Sequence, residues 1–132
     1  MDDTLFSEKE YFFSGIAYVE DFISSLYNIQ FNGEILKAYK SGVKDIWGWS
    51  CQKLGLPLET KESFIWIYRN HKPKINLFPG IVALFKKLNE LNAKILILTD
   101  GRSVTQRLKI KALNLEDFPI YISEEYSSIK PS

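Results

Sequence analysis

The sequence predicts an α/β protein dominated by helix, with two or so parallel strands and flanking helices following a larger all-helical zone. Three observations carry that prediction. Residues before about 74 repeat their apolar side chains at helical spacing and contain no strand-like run. Lys94-Ile95-Leu96-Ile97-Leu98 is an unbroken, partly β-branched apolar run of the kind that forms a strand covered on both faces. A second short run, Ile120-Tyr121-Ile122, follows it across one helix, and strand–helix–strand implies a right-handed crossover between parallel strands.

The elements are justified in order. Ser7 and Glu10 have the spacing of a capping box, and Phe12, Ile16, Val19, Ile23 and Leu26 then share one face of a helix from about Glu8 to Asn28. Asn32-Gly33 breaks the chain. Shorter helices are expected over Glu34 to Lys40 and Val43 to Leu54, the second ending at Gly55 as a left-handed cap. Pro57 prevents continuation, and Thr60 is expected to cap a helix through Phe64, Ile65 and Tyr68. That helix stops before His71-Lys72-Pro73, because the residue ahead of a proline avoids helical angles.

Pro79-Gly80 opens a helix with Ile81, Leu84, Phe85, Leu88 and Leu91 on its apolar positions, and Leu91-Asn92 closes it. The first strand follows, then Thr99-Asp100-Gly101 at its carboxyl end. Ser103 is expected to cap a helix through Leu108 and Leu113, after which the second strand ends at Ser123. Ligands of open α/β sheets bind beyond the carboxyl ends of the strands, so Thr99 to Ser103 and Ser123 to Lys130 are expected to converge on one site.

Composition narrows the function. With 17 Lys and Arg against 16 Asp and Glu, the chain has no single-sign field to hold nucleic acid or an anionic membrane, and neither is expected as a partner. The longest apolar runs fall far short of the roughly 20 residues of a membrane span, and the N-terminus lacks a basic stretch leading into an apolar one. A single cysteine, Cys51, forms no internal disulfide, and the expected location is cytoplasmic. His71 with Arg69 and Lys72 reads as a solvated hinge, Lys109 and Lys111 as solvent-facing, and Trp47, Trp49 and Trp66 as core residues.

Four fragments in order give a more specific reading: Asp2-Asp3-Thr4-Leu5, Leu77-Phe78-Pro79-Gly80, Leu98-Thr99-Asp100-Gly101, and Ser123-Glu124-Glu125 with Lys130-Pro131. Each alone is common. Together, at these spacings, the chain resembles the haloacid dehalogenase superfamily of hydrolases over essentially its whole length. The resemblance implies three parts: residues 1–6 as a remnant of the first core motif, 7–74 as a helical cap, and 75–132 as an incomplete Rossmann-like core.

It also implies a magnesium-dependent phosphatase of small phosphorylated metabolites. In such enzymes one aspartate attacks phosphorus to form an aspartyl phosphate, and a second, two residues on, protonates the leaving oxygen and then activates water. Asp2 matches the second aspartate. Thr99 matches the phosphate-binding hydroxyl and Lys130 the lysine that neutralises the phosphoryl charge, with Thr4, Asp100 and Gly101 implied to bind substrate. The nucleophile's position falls before Met1, and the final acidic motif after Ser132. Reading Asp2 as the nucleophile instead puts Thr4 in the acid/base position, where a hydroxyl shuttles no proton near neutral pH.

Magnesium is expected for the family, yet this chain is left only the Asp2 backbone carbonyl as a ligand and is expected not to hold the ion. Activity is accordingly expected to be absent from the chain as given. Self-association through exposed sheet surface is an expected way of covering it. The competing reading is a non-catalytic remnant or binding module that retains the cap.

Overall fold

The computed structural model describes residues 4–127. The chain divides into two compact units, one formed by Phe12–His71 and the other by the chain up to Tyr11 together with Lys72 onward. The division falls inside the first helix rather than at Ser7, and at His71 rather than after residue 74.

The unit Phe12–His71 is entirely helical. Helix α1 (Glu8–Tyr27) enters it from the other unit, and α2 (Glu34–Lys40), α3 (Ile46–Leu54), a 3₁₀ turn at Leu58–Thr60 and α4 (Lys61–Arg69) follow. Ser7 Oγ accepts from the Glu10 amide at 3.2 Å, so the serine half of the capping box forms. The glutamate half does not, because the Glu10 carboxylate accepts from the Asn76 backbone amide at 3.0 Å instead. Ile16, Val19 and Ile23 of α1 pack with Phe31, Ile35, Ile46, Cys51 and Phe64 into one core. Leu26 has left that face and is exposed.

Helix α2 begins after Gly33, which has no side chain to cap it and sits at φ 84°. Glu20, buried on α1, supplies the missing acceptor: its Oε2 takes the Ile35 amide at 2.8 Å and the Leu36 amide at 3.3 Å. A carboxylate at a helix N-terminus also meets the positive end of the helix dipole, which helps to explain its burial. Helix α3 starts later than the apolar pattern suggested, because Asp45 caps it through the Gly48 amide at 3.0 Å and leaves Val43 outside. Gly55 ends it at φ 69°, as expected. Thr60 makes no side-chain cap; it lies in the 3₁₀ turn, already at helical angles.

His71 is not a solvated hinge. It is 1% exposed, with Nε2 3.3 Å from Ser14 Oγ, Nδ1 bonded to the Tyr68 carbonyl oxygen, and the Tyr18 and Tyr68 rings against it. The sequence showed three basic residues before a proline and gave no sign of the two tyrosines that enclose the ring. Trp66 is the converse case, an aromatic that is 67% exposed rather than core.

The second unit holds α5 (Pro79–Glu90), β1 (Ile97–Thr99), α6 (Ser103–Ala112), β2 (Ile120–Ile122) and α7 (Ser123–Ser127). The strands are parallel, with Ile97 opposite Ile120, Leu98 opposite Tyr121 and Thr99 opposite Ile122. Strand β1 is shorter and later than the apolar run, and only one of its faces is covered: Ile97 is buried while Leu96 and Leu98 are exposed. The two-sided burial inferred from the run is therefore corrected. Leu84 and Leu91 of the α5 stripe are likewise exposed.

The start of the chain belongs to this unit. Phe6 forms an antiparallel bridge with Leu77, the Phe78 amide donates to the Leu5 carbonyl at 2.7 Å, and Phe6 is fully buried. Lys109, expected in solvent, is 4% exposed and lays its ammonium 4.1 Å from the centre of the Tyr11 ring and 5.8 Å from that of Phe6. Its long stem fills space while the aromatic faces receive the charge. Lys111 is exposed as expected.

Three helix exits use asparagine in the left-handed region: Asn28 (φ 54°), Asn92 (φ 55°) and Asn114 (φ 57°). Among the described residues no helix is long and apolar enough to cross a membrane.

Candidate functional site

The carboxyl ends of β1 and β2 are neighbours because the strands are parallel and Thr99 pairs with Ile122. Two segments therefore emerge side by side, Thr99 to Arg102 and Ser123 to Ser127. Gly101, at φ 119°, turns the first of them in a conformation that L side chains rarely adopt. Thr99 is half-buried. Its hydroxyl is within donating distance of the Gln106 side-chain Oε1 at 3.3 Å and of the Asp100 carbonyl at 3.2 Å.

Helix α6 joins both segments. Its N-cap position is Arg102, not Ser103, and Arg102 offers no side-chain cap. The cap comes from the second segment: Glu124 Oε1 accepts from the Ser103 amide at 2.9 Å. The Ser103 hydroxyl donates to Glu125 Oε2 at 2.6 Å, and Arg107 grips the same carboxylate through Nε at 2.8 Å and Nη2 at 2.6 Å. This forked geometry orients both planes and is stronger than a single ion pair. The Arg107 guanidinium, followed by the Ser103 hydroxyl, draws the Glu125 carboxyl from its ordinary 4.5 down to about 2.

Of the residues singled out by sequence, Thr99, Asp100 and Gly101 lie together on the first segment, with Asp100 exposed. Thr4 lines a groove of about 200 Å³ on the β1 flank with Leu5, Phe85 and Ile95 to Leu98, ending one residue short of Thr99. Asp2 and Lys130 lie outside the described residues. So does the only magnesium ligand that the resemblance assigns here, the Asp2 carbonyl. Among the described residues no three His, Cys, Asp or Glu side chains converge to hold a metal ion. Glu124 and Glu125 are already committed to α6. The described donor set does not fit a magnesium site.

Sequence reasoning missed Gln106, 7% exposed and beneath the Thr99 loop, and the capping roles of Glu124 and Glu125. A signal was present. Ser103, Gln106 and Arg107 recur at i, i+3 and i+4, a polar stripe on the helix that follows the motif. A larger cavity, about 560 Å³, lies in the helical unit against Val43, Asp45, Trp49, Cys51 and Leu58. Asp45 there is paired with Lys61 at 3.1 Å and caps α3, while burial pushes the Cys51 thiol up, so neither is poised for chemistry.

The model of the haloacid dehalogenase-like hydrolases matches residues 1–132, the full sequence. The chain belongs to this family. A solved structure of a haloacid dehalogenase-like family hydrolase from Xanthomonas campestris is similar to it, at 15% identity and a TM-score of 0.48. The similarity covers 97% of this chain and 63% of that one, so this chain spans less than two thirds of the length of that hydrolase. No curated protein matches the sequence.

Proposed function

We propose that this haloacid dehalogenase-like chain carries the phosphate-binding and proton-transfer groups of a hydrolase acting on a small phosphorylated metabolite. One observation carries the reading: the Thr99-Asp100-Gly101 turn leaves the carboxyl end of β1 directly beside the segment that leads to Lys130. In this reading the Thr99 hydroxyl donates to a phosphoryl oxygen, and the Lys130 ammonium offsets the charge that builds on the transferred group. Asp2 gives a proton to the leaving oxygen and afterwards takes one from water. The Thr4, Asp100 and Gly101 positions contact substrate around the reacting group, and the helical unit acts as the cap that selects it.

The attacking carboxylate of this reading belongs two positions ahead of Asp2, which falls before Met1. In this reading the 132 residues supply phosphate binding and proton transfer, and ester turnover also requires the attacking carboxylate.

Two measurements test this. Titration of the isotopically labelled chain with inorganic phosphate is expected to move the amide resonances of Thr99 and Gly101 most, and Thr99→Val to abolish the movement. Absence of any response in the wild-type loop removes the reading. Incubation with an aryl phosphate and magnesium is expected to give no hydrolysis above background. Clear turnover that Asp2→Asn abolishes would overturn the placing of the nucleophile ahead of Met1.

A further inference from the structure

We infer that Gln106 is the positioning residue of the Thr99 hydroxyl, an inference that rests on the reading of the Thr99 loop as a phosphate site. Gln106 approaches the loop at two points. Its Oε1 lies 3.3 Å from Thr99 Oγ1, and its Nε2 lies 2.7 Å from where a Cβ on Gly101 would stand. It is 7% exposed, so water offers its amide little alternative. Its own backbone amide donates to the Arg102 carbonyl at 2.9 Å, which ties its backbone to the end of the turn.

The choice of an amide has a chemical reason. A hydroxyl has one proton to give and lone pairs to receive. The Thr99 proton has two acceptors in reach, the Asp100 carbonyl at 3.2 Å and Gln106 Oε1 at 3.3 Å, and of these only the side chain can exchange its acceptor for a donor. Once a phosphoryl oxygen takes that proton, the hydroxyl oxygen needs a donor behind it, and the carboxamide supplies one by turning its NH₂ toward Oγ1. A carboxamide serves both states, being acceptor and donor in one planar group. A carboxylate serves only the empty state, and a hydrocarbon of the same size serves neither. Gly101 permits the arrangement because any side chain there meets the Gln106 amide first.

The test uses the same phosphate titration on wild type, Gln106→Leu and Gln106→Glu. Gln106→Leu keeps the volume and is expected to weaken phosphate uptake roughly fivefold, the effect of one hydrogen bond. Gln106→Glu is expected to bind more weakly still at neutral pH and to recover toward wild type as pH falls through the carboxyl range near about 4.3, where the protonated acid regains a donor. Taking the ratio of variant to wild-type affinity at each pH removes the titration of phosphate itself. A purely structural role for Gln106 predicts equal losses in the two variants at every pH. That result, or wild-type affinity in Gln106→Leu, overturns the inference while leaving the phosphate site standing. A wild-type loop that ignores phosphate overturns the site and the inference together.

Discussion

Replacing Gly15 with alanine sets two effects of opposite sign against each other within the helical unit. In the middle of a helix the exchange ordinarily stabilises by about 1 kcal/mol, because alanine loses less backbone freedom on folding. At Gly15 the new methyl lands inside the Tyr68 ring, overlapping Cε2 and approaching His71 Cε1 to 3.0 Å. The tyrosine has little room to retreat. Its ring is flanked by those of Phe12 at 6.2 Å, Trp47 at 5.5 Å and His71 at 5.6 Å. Forcing a methyl into such packing costs about 2–3 kcal/mol, so the net effect is a loss of about 1–2 kcal/mol. With a urea dependence of roughly 2 kcal/mol per molar, the unfolding midpoint falls by about 0.5–1 M. Gly80, with nothing within 4 Å of its would-be Cβ, is the control, and Gly80→Ala is expected to raise the midpoint slightly. A Gly15→Ala protein as stable as wild type by circular dichroism would refute the tight packing of Gly15 on Tyr68.

Further outcomes follow from the other unit and from Cys51. Lys109→Met keeps the stem and removes the charge from the Tyr11 and Phe6 rings, and is expected to cost about 1 kcal/mol; unchanged or raised stability in a thermal melt refutes a favourable ammonium–ring contact. Because folding lowers the Glu125 carboxyl from 4.5 to about 2, its contribution is complete above about 4.5 and is lost as pH falls toward about 2. The melting difference between wild type and Glu125→Gln is therefore expected to shrink across that window, and a constant difference contradicts the forked pair with Arg107. The buried Cys51 thiol, its ionisation pushed up, is expected to react with a chromogenic disulfide only as urea unfolds the chain. Rapid labelling in native buffer contradicts that burial.

Features that depend on neighbours in sequence were legible, and those that depend on neighbours in space were not. Helix α2 was read to its exact ends because Gly33 and Lys40 mark them locally, and Gly55 announced the end of α3 for the same reason. The start of α3 was misplaced because Val43 fits the apolar period, while the Asp45 carboxylate decides which amide is first capped. Strand β1 was read as buried on both faces because an apolar run does not say how many layers cover it. Lys109 and His71 were read as solvated from their charge, whereas rings far away in sequence, Tyr11 and Phe6 for Lys109 and Tyr18 for His71, lie against them. At the site, Thr99 to Gly101 stood out through a turn at a strand end. The glutamine beneath them is ordinary helix composition until the fold brings it within reach of the hydroxyl.

The asparagines at the helix exits leave the chain with unspent room for improvement. Asn28, Asn92 and Asn114 each hold a left-handed backbone angle that a residue with a Cβ adopts at some energetic cost. Glycine removes that cost locally, although it also enlarges the freedom of the unfolded chain. Each of the three can be exchanged and judged separately. These turns are therefore places where stability can change without altering Thr99, Gln106 or the Arg107–Glu125 fork themselves.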